Sequence, residues 1–155
     1  RSKHMGNLER LFLHNNNIGV RGAQAIANSA SMAKLTALKL VGNNIGPSGV
    51  EKLAKSKYMQ HLEILDLSDN ALTDEGIEFL VESDAFPKLE QLFLSNNKLS
   101  DRSATLLAEA QNMENLQTLV LSKNAGITRK GLRRLAASEH LSESIRDKFH
   151  KKKAR

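Results

Sequence analysis

The chain contains no cysteine. That excludes a disulfide framework, a thiolate metal site and a cysteine nucleophile. It has no tryptophan, one tyrosine and five phenylalanines, so an aromatic ring on its surface is a rare feature. No apolar run approaches the roughly 18 residues that a membrane-crossing helix needs. No apolar stretch follows the opening RSKHMG, so these residues do not read as a signal peptide. Arg1 to His4, ahead of Met5, read instead as a cloning remnant, and residues 1–5 are set aside from the fold. No histidine has another at i+3 or i+4, which removes the helical zinc pair. Neither GxxxxGK[ST] nor GxGxxG occurs. Without cysteine or an export signal, the expected location is the cytoplasm.

What is present fits one domain. The chain has 155 residues, 40% hydrophobic and 26% charged, a globular composition at a size that buries an adequate core. Its net charge of +6 is unevenly spread. Arg129 to Arg155 hold ten basic and three acidic residues, while the preceding chain holds 13 and 14.

The pattern LxxLxLxxNx(I/L) recurs five times. Its opening leucines are Leu8, Leu35, Leu62, Leu89 and Leu116, and its asparagines are Asn16, Asn43, Asn70, Asn97 and Asn124. The alternating leucines predict a strand with one buried face. The second half of each unit repeats too. Ile26, Leu53, Leu80, Leu107 and Leu135 form one column, and Ala27, Ala54, Val81, Ala108 and Ala136 another. Within one unit the apolar positions fall at i, i+3 and i+4, the face of a helix. A one-residue insertion near Ala125–Gly126 shifts the last helix and reads as a rim loop. One such unit cannot bury its apolar face alone, but a stack makes a continuous core. The glycine column Gly22, Gly49, Gly76 and Gly131 is expected to let helix and strand backbones approach. The asparagines are expected to pair backbone groups in the turn that leaves each strand.

These residues resemble a leucine-rich repeat protein of the ribonuclease-inhibitor-like class, and are similar to 27-residue repeats of many bacterial proteins. The resemblance implies an α/β solenoid, a horseshoe arc of five strand–helix repeats over residues 6–141. Parallel strands line its concave side and helices its convex side. It implies binding of another protein and no enzyme activity or cofactor. After Leu141 the pattern stops. Residues 142–155 are expected to form a capping helix, with Ile145 and Phe149 on one face and Ser142 or Ser144 as cap, followed by a basic tail. The first strand has no shielding segment ahead of it. The chain is therefore expected to be a fragment or to associate with itself through that end.

On the concave side the outward positions form rows. Arg10, Ala37, Ile64, Gln91 and Thr118 make the first, and Phe12, Lys39, Asp66, Phe93 and Val120 the second. His14, Val41, Ser68, Ser95 and Ser122 make the third. Phe12 and Phe93, with Val41, Ile64 and Val120, are expected to form an apolar patch of the kind that anchors partners. Lys39 and Asp66 are expected to pair across strands. The candidate partner-binding residues are thus Arg10, Phe12, His14, Lys39, Val41, Ile64, Asp66, Gln91, Phe93 and Val120. A second candidate is the basic patch Arg129, Lys130, Arg133, Arg134, Lys151, Lys152 and Lys153, suited to nucleic acid or anionic lipid. Few aromatics lie near it for base stacking. His14 with Asp66 and Ser68 could be drawn as a triad, but no oxyanion element accompanies them. The acidic set Asp66, Asp69, Asp74 and Glu75 reads as solvated turn residues rather than a calcium loop. A related eukaryotic group of similar architecture activates a small GTPase, so a GTPase-regulator role is a further alternative.

Overall fold

The computed structural model describes residues 6–153, with side chains through Lys151. The expected remnant at residues 1–5 lies outside the described residues, as does Arg155.

Five three-residue strands form one parallel sheet in chain order: β1 (Arg10–Phe12), β2 (Ala37–Lys39), β3 (Ile64–Asp66), β4 (Gln91–Phe93) and β5 (Thr118–Val120). Each strand but the last runs through one helix to its neighbour: α1 (Gly19–Ala27), α2 (Gly46–Ala54), α3 (Thr73–Val81) and α4 (Asp101–Glu109). After β5 come α5 (Arg129–Ala136) and α6 (Glu143–Lys153). The pairing register is constant: Leu11, Leu38, Leu65, Leu92 and Leu119 stand side by side. This is the α/β solenoid expected from the two periods.

The core runs between sheet and helices. Leu38, Leu65 and Leu92 are fully buried, as are Leu53, Leu80, Leu107 and Leu135 from the helices. Each such side chain contributes about 1.5–3 kcal/mol of transfer free energy. The stack is closed at one end. Ile145 and Phe149 of α6 are buried, and α6 packs on α5. At the other end Leu8, Leu11, Leu13, Ile18 and Ile26 are only partly buried. Ser142 precedes α6, yet its buried hydroxyl makes no hydrogen bond, and Ser144 lies exposed inside the helix. Neither serine therefore caps α6 as expected.

The asparagine column does more than its turn requires. The Asn70 amide donates to the Leu67 and Ser68 carbonyls of its own repeat (3.1 and 2.9 Å) and to Leu40 O of the repeat before (2.8 Å). Its Oδ1 accepts the N–H groups of Asn43 (3.0 Å) and Ile45 (3.1 Å). Asn43, Asn97 and Asn124 likewise reach back to Leu13, Leu67 and Leu94. From Asn43 to Asn124 the column is a polar seam joining consecutive repeats inside an apolar core, with its donors and acceptors paired.

The glycine column serves a different contact from the one expected. A Cβ at Gly22 would overlap Ile18 of its own turn. At Gly49 it would meet Ile45 and Ala23, at Gly76 Leu72 and Pro47, and at Gly131 Asp101 and Ala104. The close neighbours are the turn residue four back and the preceding helix, not the strand. Gly126, the inserted residue, bridges in parallel to Ser100, and a Cβ there would sit 2.7 Å from Leu99 O. The insertion is packed against the previous turn.

Candidate functional site

The strands bring the expected rows together in register. Arg10, Ala37, Ile64, Gln91 and Thr118 are successive partners, and so are Phe12, Lys39, Asp66, Phe93 and Val120. Their backbones are paired on both sides except at the two outer strands, so these side chains project from a fixed frame.

Exposure along the rows is graded. Arg10, Phe12 and His14 are exposed, Phe12 by 50%. Lys39, Val41, Ile64, Asp66, Gln91, Phe93 and Val120 are half-buried. Ala37 and Ser68 are buried and present little surface. Phe12 and Phe93 stand three strands apart, about 14 Å at ordinary strand spacing. Instead of one apolar patch, the second row carries two apolar ends, Phe12 and the Phe93–Val120 pair, with two charged residues between them.

Those two charges do not pair with each other. Among the described residues the ion pairs join Glu51 to Lys52 and Lys55, and Glu78 to Arg102. The Lys39 ammonium lies over the Phe12 ring, 5.2 Å from its centroid. The ring quadrupole attracts a cation there, by about 0.5–1 kcal/mol at an exposed site. The His14 and Phe12 ring centroids are 6.2 Å apart and tilted. Asp66 Oδ1 accepts the Ser68 N–H at 3.0 Å, a local turn of its own strand. The row therefore presents a ring-bound cation beside a carboxylate with capacity to accept further hydrogen bonds.

The remaining histidines and acids are dispersed. His61 and His150 are exposed and His140 is half-buried. His61 Nδ1 lies 3.2 Å from Lys88 Nζ. His4 lies outside the described residues. No group of three or more histidines and carboxylates able to hold a metal is found among the described residues. Nor is any helix among them long and apolar enough to cross a membrane.

Asp74, expected to be solvated, is instead built into the stack, and so is Asp101, which sequence reasoning did not single out. Asp74 accepts the N–H and hydroxyl of Ser100 (2.9 and 2.5 Å) and the N–H and hydroxyl of Ser103. Partial burial works to raise its pKa, but these four donors outweigh it and hold the carboxyl below its ordinary value. Asp101 repeats the device one repeat later. It accepts the Thr128 hydroxyl and N–H, both at 2.7 Å, and the Gly131 N–H at 3.0 Å. The Thr128 hydroxyl and then its N–H hold the Asp101 pKa down. Each carboxylate binds the first turn of the next helix, where unpaired N–H groups favour an anion.

Another seam lies at the helix exits. Ser56, Ser83 and Ser138 are buried, and their hydroxyls donate to Ala27 O, Ala54 O and Ala108 O at 2.5–2.6 Å. Sequence reasoning missed this seam, although serines at 56 and 83 share the repeat spacing. Where the fourth repeat has Ala110, the Asn112 amide donates to Leu80 O (3.2 Å) and Ser83 O (2.8 Å) instead.

The basic candidates lie elsewhere. Arg129, Lys130, Arg133 and Arg134 are exposed on α5 and form no ion pair with another described residue. Lys151 is exposed at the end of α6, and the Lys152 and Lys153 side chains lie beyond the described ones.

A family model described as leucine-rich repeats in two copies matches residues 60–104, and one described as a leucine-rich repeat matches residues 4–27, 31–54 and 112–136. No curated protein matches the chain.

Proposed function

From the premise that the chain belongs to the leucine-rich repeat family, we propose that it is a non-enzymatic interaction module that holds a protein partner on its concave strand face. Repeats of this family generally serve as protein-interaction modules, and solenoid curvature gives them extended binding surfaces. The observation that carries the reading is the second row of the sheet: Phe12, Lys39, Asp66, Phe93 and Val120 in continuous register. Two apolar ends supply anchors, and the charges between them select for orientation. A partner surface with an acidic group opposite Lys39 and a donor opposite Asp66 fits that row.

The test compares capture of partners by the wild-type chain and by a Phe12→Ala, Phe93→Ala double variant. Loss of the captured protein at least about tenfold in affinity is expected for two anchor positions. Capture of every partner at undiminished affinity would refute the concave-face reading.

The exposed α5 cations favour a second reading, binding of nucleic acid or an acidic membrane surface. An Arg129→Glu, Arg133→Glu variant is the appropriate probe, because deleting residues 142–155 would strip Ile145 and Phe149 from the core. Salt-dependent retention on heparin that this variant loses supports that reading. No retention by the wild type at low salt sinks it.

A further inference from the structure

The outer edge of β1 is self-complementary, and we propose that two copies of this chain pair there about a two-fold axis through Leu11. This goes beyond the partner-binding reading and does not depend on it.

The phase of the ladder fixes which backbone groups are free. Thr36 and Ala37 donate to Glu9 O (2.8 and 3.1 Å), and Leu13 N–H donates to Lys39 O (2.9 Å). Positions 9, 11 and 13 therefore face β2, and the N–H and C=O groups of Arg10 and Phe12 face away from it. Among the described residues no strand pairs with β1 on that side. Such an edge is a template for another strand.

The apolar surface points to the same place. Among the described residues two large hydrophobics are exposed, Phe12 and Val20, and both belong to the first repeat. Leu8, Leu11, Leu13 and Ile18 beside them are incompletely covered. The seam of amides is unfinished there as well. The Asn16 side chain donates to His14 O of its own turn, at 2.9 Å, and among the described residues its Oδ1 accepts no hydrogen bond. Asn43, Asn70, Asn97 and Asn124 each accept N–H groups from the repeat before.

The opposite end decides what kind of copy-to-copy contact is available. A head-to-tail stack needs an open C-terminal face, but α6 closes it with Ile145 and Phe149. An isologous contact between two N-terminal ends buries both open faces and stops at two.

The strand sequence suits that symmetry. In an antiparallel pair centred on Leu11, Arg10 of one copy stands opposite Phe12 of the other. Each such pair exchanges both N–H···O bonds, so the two pairs make four. Arg10 and Phe12 lie on the concave face, where each guanidinium reaches the opposing ring. Leu11 meets Leu11 on the core side. The product is one sheet of ten strands, with the concave rows of both copies on the same side.

The experiment is sedimentation equilibrium of the full chain from about 5 to 500 µM. A reversible monomer–dimer equilibrium is expected, without higher species. Arg10→Pro removes an outward N–H that no bond among the described residues uses. It is expected to raise the dissociation constant at least about tenfold while leaving the circular dichroism spectrum intact. A wild-type chain that stays monomeric throughout overturns the proposal, as does growth beyond a dimer or a dimer indifferent to Arg10→Pro. Should that variant lose its fold, hydrogen exchange on the wild type decides. The Arg10 and Phe12 amides must slow as concentration rises, and concentration-independent exchange overturns the pairing. A monomer that instead binds a peptide spanning residues 34–45 shows that the edge accepts another repeat, and likewise overturns it.

Discussion

Thr73 occupies a backbone conformation that its side chain disfavours. Its φ is +57°, and the same place in the two preceding repeats is held by Gly19 (φ +58°) and Gly46 (φ +60°). All three residues begin a helix, and their N–H groups donate to the carbonyls of Asn97, Asn43 and Asn70 respectively. A β-branched residue in the left-handed region costs about 1–2 kcal/mol. Glycine relieves that cost but loses about 0.5–1 kcal/mol more in unfolded-chain freedom. Thr73→Gly is therefore expected to stabilise the chain by about 0.5–1 kcal/mol, with the Asn97 contact of 3.0 Å retained. For a chain of this length the melting temperature should rise by about 1–4 °C. The reciprocal change isolates the cause. A Cβ at Gly46 meets no atom within 4 Å, so Gly46→Ala introduces strain without a clash and should destabilise by a similar amount. Urea titration followed by circular dichroism reads both variants. A lower midpoint for Thr73→Gly, or two neutral variants, refutes the strain argument.

Asn70→Ala removes a buried amide that makes five side-chain hydrogen bonds. Unpaired backbone groups on both sides of a repeat junction should cost about 3 kcal/mol or more, read as a lower urea midpoint. Phe149→Ala opens the closed end and should cost about 3–5 kcal/mol in the same titration. The depressed pKa values of Asp74 and Asp101 tie stability to pH. The unfolded carboxyl titrates near 3.9. Their contribution is thus complete above that value and is lost as pH falls through the lower folded pKa values. An Asp74→Asn, Asp101→Asn variant should lose less stability than wild type between roughly pH 5 and 2. Equal acid sensitivity of the two chains would contradict the assignment.

The strands, their register and the inward leucines were legible because all three are set by spacing, and the spacing is uniform through Leu116. The rows Arg10 to Thr118 and Phe12 to Val120 followed from strand alternation alone. What side chains do within those rows was not legible. Lys39 has Phe12 and Asp66 on either side at equal spacing, and only its rotamer decides for the ring. Asp74 looked like a turn residue and Asp101 drew no notice, because their partners, Ser100, Ser103, Thr128 and Gly131, lie 26 to 30 positions away. A carboxylate in the first helical turn, followed 26 or 27 residues later by Ser or Thr, was the available signal. The glycine column was recognised but assigned to the wrong neighbour, because helix-to-helix proximity depends on the width of the stack. Thr73 gave no warning, since threonine is a poor left-handed residue and nothing local marks its conformation.

The division of labour among side chains makes the proposed function separable from the fold. The asparagine amides, the serine hydroxyls and the two aspartates satisfy the backbone from within and from the helical side. Among the described residues Arg10, Lys39, Gln91, Phe93 and Val120 make no side-chain hydrogen bond between repeats, whereas in the next row Ser95 and Ser122 do, at 2.8 Å. Apart from Asp66, which accepts the Ser68 N–H, substitutions in the first two rows remove no backbone partner among the described residues, so at exposed positions they should shift stability by only about 0.5 kcal/mol. Phe93, being half-buried, should cost somewhat more. A face held by a satisfied scaffold, and not needed to satisfy it, is free to vary with a partner. A Phe12→Ala variant that melts as the wild type does and yet releases its partner would locate the lost energy in the contact. One that loses capture only in proportion to lost stability would place Phe12 in the fold instead.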